Sequence, residues 1–198
     1  MKNLLIAAAI FAASTSANAN LIVNGSFEDT NQAAGTWSVY NSINGWTTVS
    51  GSGIEIRNYV EGTASNGSNF VELDSHDNSA MKQSIATTAG TIYELLYDYS
   101  PRVNQLANTN GISAYWNGTL LTNSTGNGNS TNNWVTLTFS NLVGTGGLVD
   151  LTFLATGISD SFGGNIDNVR LNAVPVPAAA WLFTSALGLF GLARRRSI

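Results

Sequence analysis

Between residues 20 and 173, apolar side chains recur at every second position, and almost nowhere at the three-to-four spacing of a helix. Val135, Leu137 and Phe139 alternate with Thr136, Thr138 and Ser140. Val149, Leu151, Phe153 and Ala155 repeat the pattern, as do Tyr93, Leu95, Tyr97 and Tyr99. Successive side chains of a strand point to opposite faces, so this period marks half-buried β-strands and assigns those three sets to a core. Asn-Gly and Gly-rich punctuation cuts the chain into short pieces. The reading gives strands near Leu21–Val23, Thr36–Tyr40, Trp46–Val49, Ile54–Tyr59, Phe70–Asp74, Met81–Ala86, Ile92–Tyr99, Ile112–Trp116, Trp134–Ser140, Val149–Ala155 and Ile166–Asn172. Asn117-Gly118 predicts a type I′ hairpin between Ile112–Trp116 and Thr119–Leu121. Asn123 to Asn133 (NSTGNGNSTNN) reads as a polar surface loop too flexible to pack. Many short strands with regular turns predict an all-β domain, a jelly-roll sandwich of two antiparallel sheets.

The two ends of the chain have a different character. Met1–Ala19 has a basic start at Lys2, an apolar centre and the small-residue box Ala17-Asn18-Ala19, which predicts a secretory signal peptide. Residues 174–198 hold prolines at Pro175 and Pro177, an uncharged apolar run and a closing cluster of Arg194, Arg195 and Arg196. As a helix, Ala178–Ala193 would reach about 24 Å, enough to cross a membrane only with its uncharged flanks. The arginines would hold that end in the cytoplasm and leave the domain outside. The expected division is therefore a signal peptide (1–19), a β-domain (20–173) and a hydrophobic tail (174–198).

The tail resembles the PEP-CTERM sorting signal of Gram-negative bacteria, in which a proline motif, a hydrophobic helix and an Arg cluster follow in that order. Pro175-Val176-Pro177 matches, with Val176 where Glu is usual, followed by Ala-Ala-x-Trp-Leu-Phe. The resemblance implies recognition by a membrane transpeptidase, an exosortase, and cutting near the proline motif. It also implies transient anchoring in the inner membrane with the domain on the periplasmic side, then release or attachment at the surface. An ordinary tail anchor is the alternative.

Composition narrows the function. Cysteine is absent, which excludes a thiol nucleophile, disulfides and cysteine-ligated zinc. The domain keeps Arg57, Lys82, Arg102 and Arg170 against all 12 acidic residues, a surface that repels nucleic acid and anionic lipid. His76, in Asp74-Ser-His-Asp77, lacks the other marks of a catalytic triad and reads as a polar turn residue.

Two constellations remain. Asp167 alternates with Val169 and Leu171, so its carboxylate is expected to point towards the core, where it needs a partner. Glu55 and Arg57 lie opposite Ile54 and Ile56, and Glu72 and Asp74 lie opposite Val71 and Leu73, so all four are expected on a solvent-facing side. Arg102 and Asp160 are placed to join them, with Trp37, Trp46, Tyr59 and Tyr115 as available rings. Such a face could bind sugar, with charged groups on hydroxyls and a ring on the pyranose C–H face. Cross-strand ion pairs on a solvated face are the alternative.

The opening Leu21-Ile-Val-Asn-Gly-Ser-Phe-Glu28, with Gly45-Trp46, Asn69-Phe-Val-Glu-Leu-Asp74, Ser100-Pro-Arg102 and Gly164-Asn-Ile-Asp-Asn-Val169, carries a second resemblance. The domain is similar to the galactose-binding-domain-like jelly roll of many carbohydrate-binding modules. That resemblance implies a structural Ca²⁺ shared by Glu28 and Asp167 with backbone carbonyls, a ligand type calcium favours. Capping of backbone amides is the other role open to these carboxylates. The functional expectation is a secreted, non-catalytic, lectin-like module for exopolysaccharide or cell-wall glycan. The alternative is a biofilm-matrix component without a ligand; a glycosidase using Glu55 and Glu72 comes third, since a small domain leaves little room for a catalytic cleft.

Overall fold

The computed structural model describes residues 19–175. The expected signal peptide, Val176, Pro177 and the cluster Arg194–Arg196 lie outside the described residues, while Pro175 is exposed at their end. Ala19–Val174 forms one compact unit that contains all of the core described below.

Twelve strands fill this unit. They are β1 (Thr36–Tyr40), β2 (Ser42–Ile43), β3 (Trp46–Ser50), β4 (Ile54–Asn58), β5 (Asn69–Glu72), β6 (Ala80–Ala86), β7 (Ile92–Ser100), β8 (Gly111–Trp116), β9 (Thr119–Ser124), β10 (Val135–Val143), β11 (Leu148–Thr156) and β12 (Asn165–Ala173). They form two six-stranded sheets, ordered β1-β4-β5-β12-β7-β10 and β2-β3-β6-β11-β8-β9, and every named strand pairing is antiparallel. This is the all-β jelly-roll sandwich that the alternation predicts. The β8–β9 hairpin turns through Asn117 and Gly118, both at positive φ, as a type I′ turn requires.

The core lies between the sheets. Leu95, Tyr97, Leu151, Phe153, Ile54, Ile56 and Met81 are buried there, and Phe153 meets Tyr97 edge-on with ring centroids 4.9 Å apart. Trp46 packs between Phe27 and Phe153, so it is a core residue and not an available ring. One core expectation fails at the sheet edge. β10 has a neighbour on one side only, so Leu137 and Phe139 are half-buried and Val135 stays exposed.

The segment Leu21–Val23 is not a strand. It runs beside β12 through single hydrogen bonds, Leu21 N to Leu171 O at 2.9 Å and Val169 N to Gly25 O at 2.8 Å. The motifs that open and close the domain thus meet in space. Gly25 is held so close that a Cβ built there would lie 2.0 Å from the Val169 carbonyl oxygen. Because the obstacle is backbone within β12, it cannot swing aside as a side chain could. Gly25→Ala is therefore expected to lower the urea midpoint of unfolding, in the range of about 1–3 kcal/mol typical of overpacking. An unchanged midpoint would show that the opening segment does not clamp the last strand.

Candidate functional site

The outer face of the first sheet is where the structure departs most from expectation. Register places Trp37 opposite Arg57 and Val39 opposite Glu55 on β1 and β4, then Glu55 opposite Glu72 on β5. These side chains point away from the inter-sheet core, as their alternation requires. They do not face solvent: Glu55, Arg57, Glu72 and Asp74 are all buried, and Arg102 is 7% exposed. The cause is the loops. Residues 59–68, 101–110, 125–134 and 157–163 connect strands across this end and are tied down over the face. Phe70, on the same outer side, is covered by Trp134, whose Nε1 donates to Thr63 O.

Under this cover two guanidinium groups and two carboxylates form one cluster. Arg57 Nε lies 2.5 Å from Glu55 Oε1, and Arg57 Nη2 lies 2.5 Å from Glu72 Oε2. Arg102 Nη1 lies 2.7 Å from the same Glu72 oxygen and donates to Ser161 O, while Gly163 N donates to Glu72 Oε1. The Arg102 guanidinium also lies 4.6 Å from the Phe162 ring centroid. Burial pushes the Glu72 carboxyl up to about 7, with Arg57, Arg102 and the Gly163 amide pulling the other way and Glu55 adding to the rise.

The cluster is satisfied on its carboxylate side but not on its arginine side. Arg57 Nη1 and Arg102 Nε are buried donors with no acceptor among the described residues. A pocket of about 300 Å³ adjoins the cluster, bordered by Trp37, Glu55, Arg57, Glu61, His76 and Arg102, among others. Trp37 is 46% exposed and stands edge-on to His76 at 6.4 Å. The pattern gives no sign of Glu61 and Ser161 at this pocket, and His76, read as a polar turn residue, also borders it. Trp37 was readable, since it falls opposite Arg57 once β1 and β4 are paired.

The other expected site residues do not gather here. Asp74 accepts hydrogen bonds from Ser159 Oγ and Asp160 N, and Asp160 itself accepts from Thr109 Oγ1, so both fasten the 157–163 loop. Tyr115 lies on β8 of the opposite sheet, on its outer side, and takes no part. Glu55 and Glu72 are cross-strand neighbours gripped by one guanidinium rather than carboxylates facing each other across a cleft.

Asp167 does not point into the core either. A bulge between Asp167 and Arg170, with Asn168 at φ +52°, shifts the parity of β12, so Ile166, Val169 and Leu171 face inward and Asp167 faces out. It is buried under the 65–66 turn, where Oδ2 accepts from Ser65 N and Asn66 N at 2.7 and 2.8 Å, and Oδ1 accepts from Asn168 N. Glu28 Oε1 caps the other end of this loop, accepting from Ser68 N and Asn69 N, both at 2.7 Å. The oxygen donors are of the type calcium takes, and any further ligands would be backbone carbonyls. Among the described residues no group of three or more Asp, Glu or His side chains is placed to hold a metal. As placed, the two carboxylates are amide caps.

No protein-family model matches the chain. The multifunctional-autoprocessing repeats-in-toxin proteins of Vibrio vulnificus and Vibrio cholerae are each 29% identical over 153 residues, which is 76% of this chain and 3% of the toxin. The chain thus spans a small fraction of the length of these relatives. Among solved structures, an arabinose-bound α-L-arabinofuranosidase superposes with a TM-score of 0.51 at 10% identity, covering 78% of this chain and 26% of that one. A family 35 carbohydrate binding module from an environmental isolate gives 0.48 at 15% identity, covering 71% of this chain and 97% of that one. The likeness to the arabinofuranosidase is one of fold.

Asp167 gives the domain a readable pH dependence. Burial raises its carboxyl to about 7; the Asn66, Asn168 and Ser65 amides oppose the rise, and Asp98 across the ladder adds to it. The folded state then holds a proton that the unfolded chain releases above about pH 4, so this stabilisation is complete below pH 4 and lost as pH rises through 7. Glu72 acts in the same direction. The melting temperature is expected to fall between pH 5 and pH 8, and to fall less in Asp167→Asn; a rise over that range would contradict the assignment. In the same melts, EDTA is expected to leave wild type unchanged if the carboxylates serve only as caps, whereas a drop absent from Asp167→Ala would reveal calcium.

Proposed function

We propose that this chain is an exported, non-catalytic surface or extracellular-matrix protein whose jelly roll binds exopolysaccharide or cell-wall glycan. The observation that carries the proposal is that Arg57 and Arg102, which border the Trp37 pocket, each keep a buried guanidinium donor without an acceptor among the described residues. An unpaired buried donor costs free energy unless something supplies its acceptor, and charged donors cost most. A sugar hydroxyl is such an acceptor, and Trp37 offers its pyranose C–H face a ring. The two glutamates already offset the charge of the two arginines, which suits a polyol. Glu72 has both oxygens engaged and no exposure, so it has no contact with a substrate to protonate. Calcium belongs to this proposal only as an ion that Glu28 and Asp167 would hold together with backbone carbonyls.

The sorting tail completes the proposal. An exosortase-type transpeptidase would cut near Pro175–Pro177 and release the domain from the inner membrane to the surface or matrix. The intact mass of the exported protein is expected to correspond to a chain that starts near Asn20 and lacks Arg194–Arg196. A mass that includes the arginines would make the tail a plain anchor.

One observation favours the second reading, a matrix component without ligand: every carboxylate of the cluster is already ion-paired. Two variants separate the readings. Arg102→Ala leaves Glu72 only Arg57 and the Gly163 amide and is expected to cost about 1.5–3 kcal/mol of stability whichever reading holds, the range of a charged hydrogen bond. Trp37→Ala removes an exposed ring, should leave the melting temperature within a degree or two, and should weaken retention on polysaccharide about tenfold or more if the pocket binds glycan. Unchanged retention by Trp37→Ala would assign the cluster to structure alone.

A further inference from the structure

Six Asn-Gly pairs punctuate the chain, at Asn24, Asn44, Asn66, Asn110, Asn117 and Asn127. Such a pair is reactive in water, because glycine puts no side chain beside its nitrogen, which can then reach the asparagine side-chain carbonyl. The fold decides which pairs are open. Asn110 is fully buried, with its NH₂ held by Leu106 O and Gly126 O. Asn24 Oδ1 accepts from Asp29 N and its NH₂ donates to Asn44 O, while the Asn44 NH₂ donates to Asp29 Oδ2. Asn127 lies in the Asn-rich run, which is not the loose surface loop the sequence suggests but is fastened to residues 102–110. Asn127 Oδ1 accepts from Ala107 N at 2.8 Å, and the nitrogen that would attack it, Gly128 N, donates to Gln105 O at 2.7 Å.

Asn66 and Asn117 remain, both exposed and with side chains that make no hydrogen bond among the described residues. Asn117 is at the tip of the β8–β9 hairpin. Trp116 pairs with Thr119 across that turn and Asn117 N donates to Asp150 O, so the Asn-Gly peptide cannot rotate without breaking the hairpin. Asn66 lies in the 59–68 loop, where its neighbours are anchored on both sides: Ser65 N and Asn66 N on Asp167, Ser68 N and Asn69 N on Glu28. The peptide between Asn66 and Gly67 has no hydrogen bond on its carbonyl or its N–H among the described residues. The reactive link is free while both its ends are held.

We propose that Asn66-Gly67 is a self-modification site and that its conversion unfastens the 59–68 loop. Gly67 N gives up its proton and bonds to Asn66 Cγ; the Cγ–Nδ2 bond breaks and ammonia leaves, closing a five-membered imide. Water then opens the imide at either of its two carbonyls, leaving an ordinary aspartate or an isoaspartate whose main chain runs through Cβ. Both products put a carboxylate into the turn already occupied by Asp167 and Glu28, where like charges repel. The isoaspartate also lengthens the main chain by one carbon between the two pairs of capped amides, so the two caps no longer fit together. The loop carries Thr63, whose carbonyl holds Trp134 over Phe70, and Glu61, which borders the Trp37 pocket. The site is thus a clock acting on the cover of the charged cluster, whatever that pocket binds.

The test is peptide mass spectrometry on the purified protein incubated folded at pH 8, beside a sample held unfolded in urea. Trypsin releases residue 66 in the peptide 58–82, bounded by Arg57 and Lys82. In the folded sample Asn66 is expected to convert at least tenfold faster than Asn24, Asn44, Asn110 and Asn127, and faster than Asn117, with isoaspartate among its products. In urea all six are expected to convert at similar rates. The melting temperature of the folded sample is expected to fall as Asn66 converts. Asn66→Gln, an exposed change that leaves the fold intact, cyclises far more slowly and is expected to hold its melting temperature over the same time. Conversion led by any other pair in the folded protein, or no conversion at Asn66, would overturn the site. Conversion at Asn66 with a melting temperature that tracks Asn66→Gln throughout would overturn the unfastening.

Discussion

Glu72 is the group on which the rest of the site depends. A carboxylate with no exposure on the outer face of a sheet cannot stay charged without partners, and the domain has few cations to offer. It takes two of the domain's four, Arg57 from the neighbouring strand and Arg102 from the loop that follows β7. Recruiting Arg102 brings the 101–110 loop over the face; the Gly163 amide on the other carboxylate oxygen brings in the 157–163 loop. The architecture of the pocket follows from one buried charge and the elements that must converge to neutralise it.

The same logic, with neutral partners, holds the remaining loops. Glu28 and Asp167 grip backbone amides at the two ends of 65–69, and Asp98 receives the Ser65 hydroxyl, Thr136 and Asn168. Desolvation would raise the Asp98 carboxyl, yet these hydrogen bonds hold it below the usual carboxylate range. Asp98 and Asp167 sit opposite each other on adjacent strands, an arrangement of like charges that is unfavourable by itself. Their separate donor sets make it tolerable.

Alternation made the fold legible because it records which side of a strand meets the other sheet. It placed Leu95, Leu151, Phe153 and Ile56 correctly, and it placed Glu55, Arg57 and Glu72 on the opposite side. What alternation cannot record is whether that opposite side is later covered by loops, so a buried cluster read as a solvent-facing one. Asp167 failed for another reason: one residue at positive φ, Asn168, reverses parity within a strand, and nothing in the pattern Ile-Asp-Asn-Val announces it. The Asn-rich run misled because asparagine is common both in loose loops and in loops stapled by their own amides.

The opening segment and the last strand lie side by side, Leu21 on Leu171, with Asn20 Oδ1 accepting from Leu171 N. Entry to and exit from the domain therefore share one corner. The buried cluster sits at the other end of β12, where Asn165 is flanked by Glu72 and Ser100, about 20 Å away along the strand. A unit with this geometry is portable: spliced between two neighbouring residues of a host surface, it needs no rearrangement of the host. Whatever such a host anchors, the domain would stand out from it with its pocketed end foremost.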